Sequence, residues 1–311
     1  MKKIFLSLSL ILLFLSMLLR PAETFQGASE GLLLWFQIVL PTLLPFLIIT
    51  NLLVTTNTLY YISRFASPVL SPFFHTSQAG TFAVIAGFLC GYPMGAKVTS
   101  DLLLAGKIET KEARYLLSFC NNTSPMFLMN YVVLKSLGNS TWLLPVLTLQ
   151  FLTPILVSFL FRKVYHVHSN KSIGTGKNPS LSFSFDLLDH TIMNSFEIIT
   201  KVGGYIMLFS VLLSLLRELP ITSIFWNSLF LPSLEITNGI AILTRSDLPF
   251  SVMFPLLMAL LSFGGICSIA QTQCMLQKTG IPILPYIAEK LITATVTSLL
   301  TILYLQFICY P

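Results

Sequence analysis

The chain has 311 residues, of which 54% are hydrophobic and only 10% charged, with a mean hydropathy of +0.81. A soluble chain would carry about 25% charged residues, so composition excludes that class. The net charge of +6 comes without a basic cluster interleaved with aromatics, so it is read as membrane topology and not as affinity for nucleic acid.

Apolar runs of about 20 residues recur, long enough to cross a bilayer. They are continuous and not alternating, which predicts helices and disfavours a β-barrel. The expected fold is an all-α polytopic membrane protein with about seven transmembrane helices and two re-entrant or broken segments. Met1-Lys2-Lys3 and apolar Ile4 to Leu19 resemble a signal peptide, but Arg20-Pro21-Ala22-Glu23 follows instead of a cleavage site. A retained first helix is therefore expected. Helix two runs from Gly31 to Val54, bent at Pro41 and Pro45, and Leu59 to Phe74 reads as interfacial. Thr81 to Ala96 is apolar but broken by Gly87, Gly91, Pro93 and Gly95, which predicts a re-entrant hairpin or half-helix. A charged connector, Asp101 to Arg114, leads into helix three, Ala113 to Tyr131, broken at Asn121, Asn122 and Pro125. Helix four is Trp142 to Phe161, and the hydrophilic stretch Arg162 to Ser180 reads as a linker. An amphipathic stretch, Phe183 to Thr200, opens the second half. It is followed by helix five (Gly203 to Leu216), an interrupted segment (Ile224 to Thr244), helix six (Phe250 to Met275) and helix seven (Pro285 to Ile308).

Leu116-Leu117-Ser118-Phe119 recurs as Leu260-Leu261-Ser262-Phe263, an offset of 144. The same offset places Gly95 on Gly239 and Ser124 on Ser268, so GYPMGAK overlays EITNGIA and SFCNNTSP overlays SFGGICSI. A rival offset of 187 matches LLPFLIITN to FLPSLEITN with six identities in nine, but it aligns only one short run. A duplicated pair of interrupted apolar segments points to a transporter site at a repeat interface. Placing the N-terminus in the cytoplasm puts fourteen Lys and Arg residues inside, Lys97 and Lys290 among them. Arg20, Lys135, Arg217 and Arg245 are left outside. The halves are then inverted relative to each other. The expected division is a first helix (1–26), a first repeat (27–163), a cytoplasmic linker (164–182) and a second repeat (183–311).

Backbone broken at membrane depth has N–H and C=O groups that lipid cannot satisfy, so such breaks line protein or a wet cavity. Half-helix N-termini offer donors to an anion, and C-terminal ends offer carbonyls to a cation. Gly91, Gly95, Gly239, Gly264 and Gly265 permit close backbone approach, beside Asn121, Asn122, Ser124, Thr237, Asn238 and Gln271 as polar partners for a solute. Packing of helices through small residues is the bland alternative. Glu235 lies in apolar surroundings, where a carboxylate costs about 2.5–3.5 kcal/mol. It reads as a coupling group for a cation or proton, as an acceptor for the solute, or as a residue reaching interfacial water. Lys97 reads either as a charge for an anionic solute or as a snorkelling anchor.

Gly174-Thr175-Gly176-Lys177 lacks the full spacing and the preceding strand of a phosphate loop. His166 and His168 stand without further ligands, and the five cysteines have no zinc or redox spacing. No cofactor, metal or catalytic motif is expected, and the chain reads as a non-enzyme.

Four motifs together carry a family resemblance: GFLCGYPMGAK, then GKI-x-x-x-EA-x-x-LLSFCNN-x-SP, LEITNG and FGGICSIAQTQ. They resemble the sporulation integral membrane proteins of the YlbJ type, within the wider group with nucleoside-recognition (Gate) domains. The resemblance implies two Gate repeats and a role in endospore formation, moving dipicolinic acid across the outer forespore membrane. The chain is short for that family, with a compact linker. The resemblance would make Tyr92 a candidate to stack on the pyridine ring, in addition to its packing role. The expected partners are the lipid bilayer and a small anionic solute, with the coupling ion and oligomeric state open. A nucleoside-type transporter and a non-transporting scaffold for spore cortex assembly are the alternatives.

Overall fold

A computed structural model describes residues 2–56, 58–167 and 184–309. Among these residues the fold is helical, without a strand. The first half comprises α1 (Lys2–Leu19), α2 (Pro21–Leu34), α3 (Leu40–Thr55), α4 (Leu59–Phe74), α5 (Gln78–Cys90), α6 (Met94–Leu104), α7 (Thr110–Cys120), α8 (Pro125–Phe127) and α9 (Leu143–Tyr165). The second comprises α10 (Phe185–Arg217), α11 (Leu231–Leu234), α12 (Ile236–Thr244), α13 (Phe250–Phe263), α14 (Gly265–Leu276) and α15 (Ile283–Tyr304). Wider, π-helical turns extend several of them, at Trp35–Val39, Leu128–Leu137, Trp226–Phe230 and Leu305–Cys309.

Among the described residues, five helices are long and apolar enough to cross a membrane: Pro21–Leu53, Ser140–Tyr165, Phe185–Arg217, Phe250–Leu276 and Ile283–Phe307. A sixth span is formed if Tyr61–Phe74 and Gln78–Cys90, bent by 89° against each other, count as one. The polytopic all-α class expected from composition is thus the class observed. Predicted helix one has a shorter apolar stretch, Ser7–Leu19, and helix three is split at its polar break.

Several boundaries differ from those expected, for identifiable reasons. The second helix starts at Pro21 and not Gly31, because proline is accepted at the first helical position, where its missing N–H costs nothing. Residue 26, the expected end of the first unit, therefore lies inside α2. The amphipathic stretch and helix five are one helix, α10. Gly203 and Gly204 do not interrupt it, since backbone in lipid keeps its own hydrogen bonds. Asp101 and Arg114 of the supposed connector lie within α6 and α7. His168, Lys171, Gly174, Gly176 and Lys177 of the linker lie outside the described residues.

Burial is arranged for lipid. Large apolar side chains such as Phe65, Leu144, Leu284 and Leu299 face outward, while threonines, serines and asparagines are buried among the apolar core. The α2 helix packs closely along α10. A Cβ on Gly27 would lie 2.8 Å from the Ser210 carbonyl oxygen, and one on Gly31 would lie 2.8 Å from the Met207 Cα. This Gly-x-x-x-Gly spacing is the small-residue contact by which membrane helices associate without a hydrophobic driving force. Trp35 Nε1 and Ser214 Oγ tie the pair further, donating to the carbonyls of Ile199 and Glu23 at 2.9 Å each.

Candidate functional site

In the first half, α5 ends at Gly91 (φ +84°), Tyr92 and Pro93 follow, and α6 returns as the second arm of a helical hairpin. The hairpin tip meets the break between α7 and α8. A Cβ on Gly91 would stand 2.8 Å from the Ser124 backbone nitrogen. In the second half, Glu235 separates α11 from α12, and this tip meets the break between α13 and α14. A Cβ on Gly265 would stand 3.1 Å from the Ser233 oxygen and 3.3 Å from the Ile236 nitrogen. Gly95 and Gly239, aligned in sequence, are both tightly placed but against different neighbours, the α7–α8 break for Gly95 and the facing hairpin arm, α11, for Gly239. Their added Cβ atoms would lie 2.3 Å from the Cys120 oxygen and 2.2 Å from the Pro232 oxygen. Each half thus brings a hairpin tip against a helix break.

The two junctions are joined to each other. Tyr92 donates its hydroxyl to the Ser262 carbonyl at 3.0 Å, and its ring packs on Gly264 (φ +83°), where a Cβ would come within 2.7 Å of Cζ. Asn121 donates from Nδ2 to Thr272 Oγ1 at 2.9 Å and to the Tyr286 hydroxyl at 2.8 Å. Tyr131 donates to the Thr237 carbonyl at 3.0 Å.

Between the junctions lies a cavity of about 80 Å³. Seven predicted site residues line it: Gly91, Tyr92, Ser124, Glu235, Thr237, Gly264 and Gln271. Thr123, Cys267 and Ser268 join them, with apolar residues of α3 and α10 closing the wall. Three features set its chemistry. Glu235 is buried, and its carboxylate accepts from the Thr237 and Asn238 backbone N–H groups at 3.1 and 2.8 Å, capping α12. The N-terminus of α14 at Gly264 has no side-chain cap, so its N–H groups and dipole remain available beside Ser268. Thr123 Oγ1 is buried without a hydrogen-bond partner, a costly state for a hydroxyl.

The other seven predicted residues are not in the cavity wall. Gly95, Gly239 and Gly265 shape the backbone around it. Asn121 is the bridge between halves, and Asn122 donates to the Phe119 carbonyl at 2.6 Å. Asn238 donates to Ser210 Oγ at 2.9 Å. Lys97 pairs with Asp101 one turn on, which places its ammonium away from the cavity. Tyr92 does line the wall, but the Lys290 ammonium sits 5.1 Å from its ring centroid, so one face of the ring is already covered.

The sequence reading does not select Thr123, Cys267 or Ser268 of the wall, nor Lys290 beside it. Thr123 lies inside the NNTS break, flanked on both sides by residues that were chosen. Lys290, assigned to the cytoplasmic charge count, is instead 1% exposed and donates to the Asn121 carbonyl at 2.9 Å and Asn122 Oδ1 at 3.2 Å. The available signal was a polar stripe on α15. Tyr286, Lys290, Thr293, Thr297 and Thr301 recur at helical spacing, and all are buried.

Broken helices that meet around a polar cavity inside an apolar bundle define a polytopic membrane protein built around a polar junction. Residues 36–140, which hold the first hairpin and the first break, match the nucleoside-recognition (Gate) family. The chain is also 26% identical to the sporulation integral membrane protein YlbJ of Bacillus subtilis (strain 168), over 309 residues covering 88% of this chain and 75% of that protein. The resemblance carried by the four motifs is thus borne out: this is an integral membrane protein similar to that sporulation protein, with a segment that matches the nucleoside-recognition family. No solved structure matches it.

Proposed function

We propose that this protein carries a small organic anion across a bacterial membrane, dipicolinic acid during endospore formation, by alternating access at the junction of its two halves. The reading treats the halves as inverted Gate repeats with the N-terminus in the cytoplasm and the outer forespore membrane as the site. The observation that carries it is the cavity, whose wall holds both an unpartnered Thr123 hydroxyl and the N-terminus of α14, which has no side-chain cap. A carboxylate would accept from both.

The cavity of about 80 Å³ is smaller than the roughly 150 Å³ void that holds a benzene ring. A pyridine dicarboxylate therefore requires the walls to part. The contacts that must yield are those joining the halves, chiefly Tyr92 to Ser262 and its packing on Gly264. Glu235 is the acid in the wall, and an ionised carboxylate there repels a dianion. Protonation of Glu235 on loading removes that repulsion, which makes a proton the coupling ion and Glu235 the coupling group.

A nucleoside-type solute is the second reading. It is favoured by the same acid, which would accept from sugar hydroxyls, and by the nucleoside-recognition match. Competition separates the two. Uptake of labelled dipicolinate into proteoliposomes should be inhibited by unlabelled dipicolinate and unaffected by uridine. Inhibition by uridine, or uptake of uridine itself, would transfer the assignment to nucleosides.

A further inference from the structure

Lys290 lies within a transmembrane helix, and its side chain is fully enclosed. Among the described residues it forms no ion pair. The adjacent Glu289 accepts instead from the Tyr165 hydroxyl. Its ammonium rests on two neutral acceptors, the Asn121 carbonyl and Asn122 Oδ1, and on the face of the Tyr92 ring. A cation so deeply buried is costly, and two hydrogen bonds, a ring face and the neighbouring Glu289 compensate it only in part. All three contacts belong to the wall of the cavity or adjoin it: Tyr92 lines it, and Asn121-Asn122 run directly into Thr123-Ser124.

We propose that Lys290 is the residue that makes this site selective for anions, supplying from behind Tyr92 the positive charge that the cavity wall lacks. This inference rests on the transport reading above and names the recognition element within it. An ammonium 5.1 Å from a ring centroid lies within about 8 Å of a charge held against that ring. At an effective dielectric of about 20, that attraction favours a carboxylate over a neutral isostere by a factor of about thirty. When the walls part, the flexible four-carbon stem lets the ammonium exchange the Asn122 oxygen for a solute carboxylate. Asn121 and Asn122 are then the positioning residues that hold the charge in place, which accounts for their lying outside the cavity while flanking it.

The test is the ratio of affinities for dipicolinate and for its neutral diamide, measured by equilibrium binding to the full chain in nanodiscs. Lys290→Gln keeps a donor for the Asn121 and Asn122 oxygens but loses the charge. Lys290→Met removes both and provides a second variant of similar volume. Wild type should prefer the dianion, and the ratio should fall about thirtyfold in both variants. Lys290→Arg should keep the preference. An unchanged ratio in Lys290→Gln or Lys290→Met would reduce Lys290 to a structural brace and overturn this assignment alone. Absence of dipicolinate binding to wild type would overturn the transport reading and this inference with it.

Discussion

Glu235 is both the cap of a half-helix and the acid in the cavity wall, and substitutions can separate these roles. Glu235→Ala removes both acceptor oxygens from the start of α12 and should lower stability by about 1 kcal/mol. Glu235→Gln retains one oxygen for capping, so its melting temperature should stay near wild type while stimulation of uptake by a proton gradient disappears. Thermal unfolding in detergent and gradient-driven uptake read the two effects. Asn121→Ala breaks three hydrogen bonds to other helices, to Thr272, Tyr286 and the Ala96 N–H. Such bonds in membrane proteins average about 0.6 kcal/mol each, so a loss of about 1–2 kcal/mol is expected by the same melt. At this scale the sequence was readable wherever chemistry stood out against its surroundings, as at Glu235 or at the glycines of both tips. Lys290 was hidden because a lysine near a helix end looks like a flanking charge. Only its spacing with Tyr286, Thr293 and Thr297 marks it as inward-facing.

Elements are held by close backbone approach, and two glycines make the contrast. A Cβ on Gly87 would fall 1.7 Å from the Cys120 carbonyl oxygen, whereas one on Gly204 would meet nothing within 4 Å. Gly87→Ala should therefore cost about 1–3 kcal/mol by forcing α5 from α7. Gly204→Ala should be neutral or stabilising by up to about 1 kcal/mol, through helix propensity alone. Paired melting curves test this directly. The breaks were legible because glycine, proline and adjacent asparagines interrupt apolar runs. Helix continuity was less so: Pro21 and Gly203-Gly204 look like boundaries to a reader of soluble sequences. A bilayer, which offers the backbone no alternative partner, keeps such helices intact. The Gly27 and Gly31 pair was a legible signal for the α2–α10 contact that went unused.

At the scale of the whole molecule, the repeat found at offset 144 and the pairing of tip with break in both halves agree on a duplicated architecture, which the proposed function takes as inverted in the membrane. Inversion predicts opposite exposure for the corresponding turns of the two halves, after α6 and after α12. In a cysteine-free background, Asp247→Cys should react with an impermeant maleimide from outside intact cells, and Ala105→Cys only after permeabilisation. Labelling of both from one side would remove the inversion. What no sequence pattern conveyed was the size of the cavity or the identity of its unsatisfied groups. Both depend on how four separate breaks meet in space.

The most direct measurement is uptake of labelled dipicolinate by the purified protein in proteoliposomes with an imposed proton gradient, wild type beside Thr123→Val and Glu235→Ala. Saturable uptake by wild type, with affinity weakened in Thr123→Val and the stimulation by the proton gradient lost in Glu235→Ala, is the expected result. Uptake unchanged in both variants, or none by folded wild-type protein, would contradict a carrier built around this cavity.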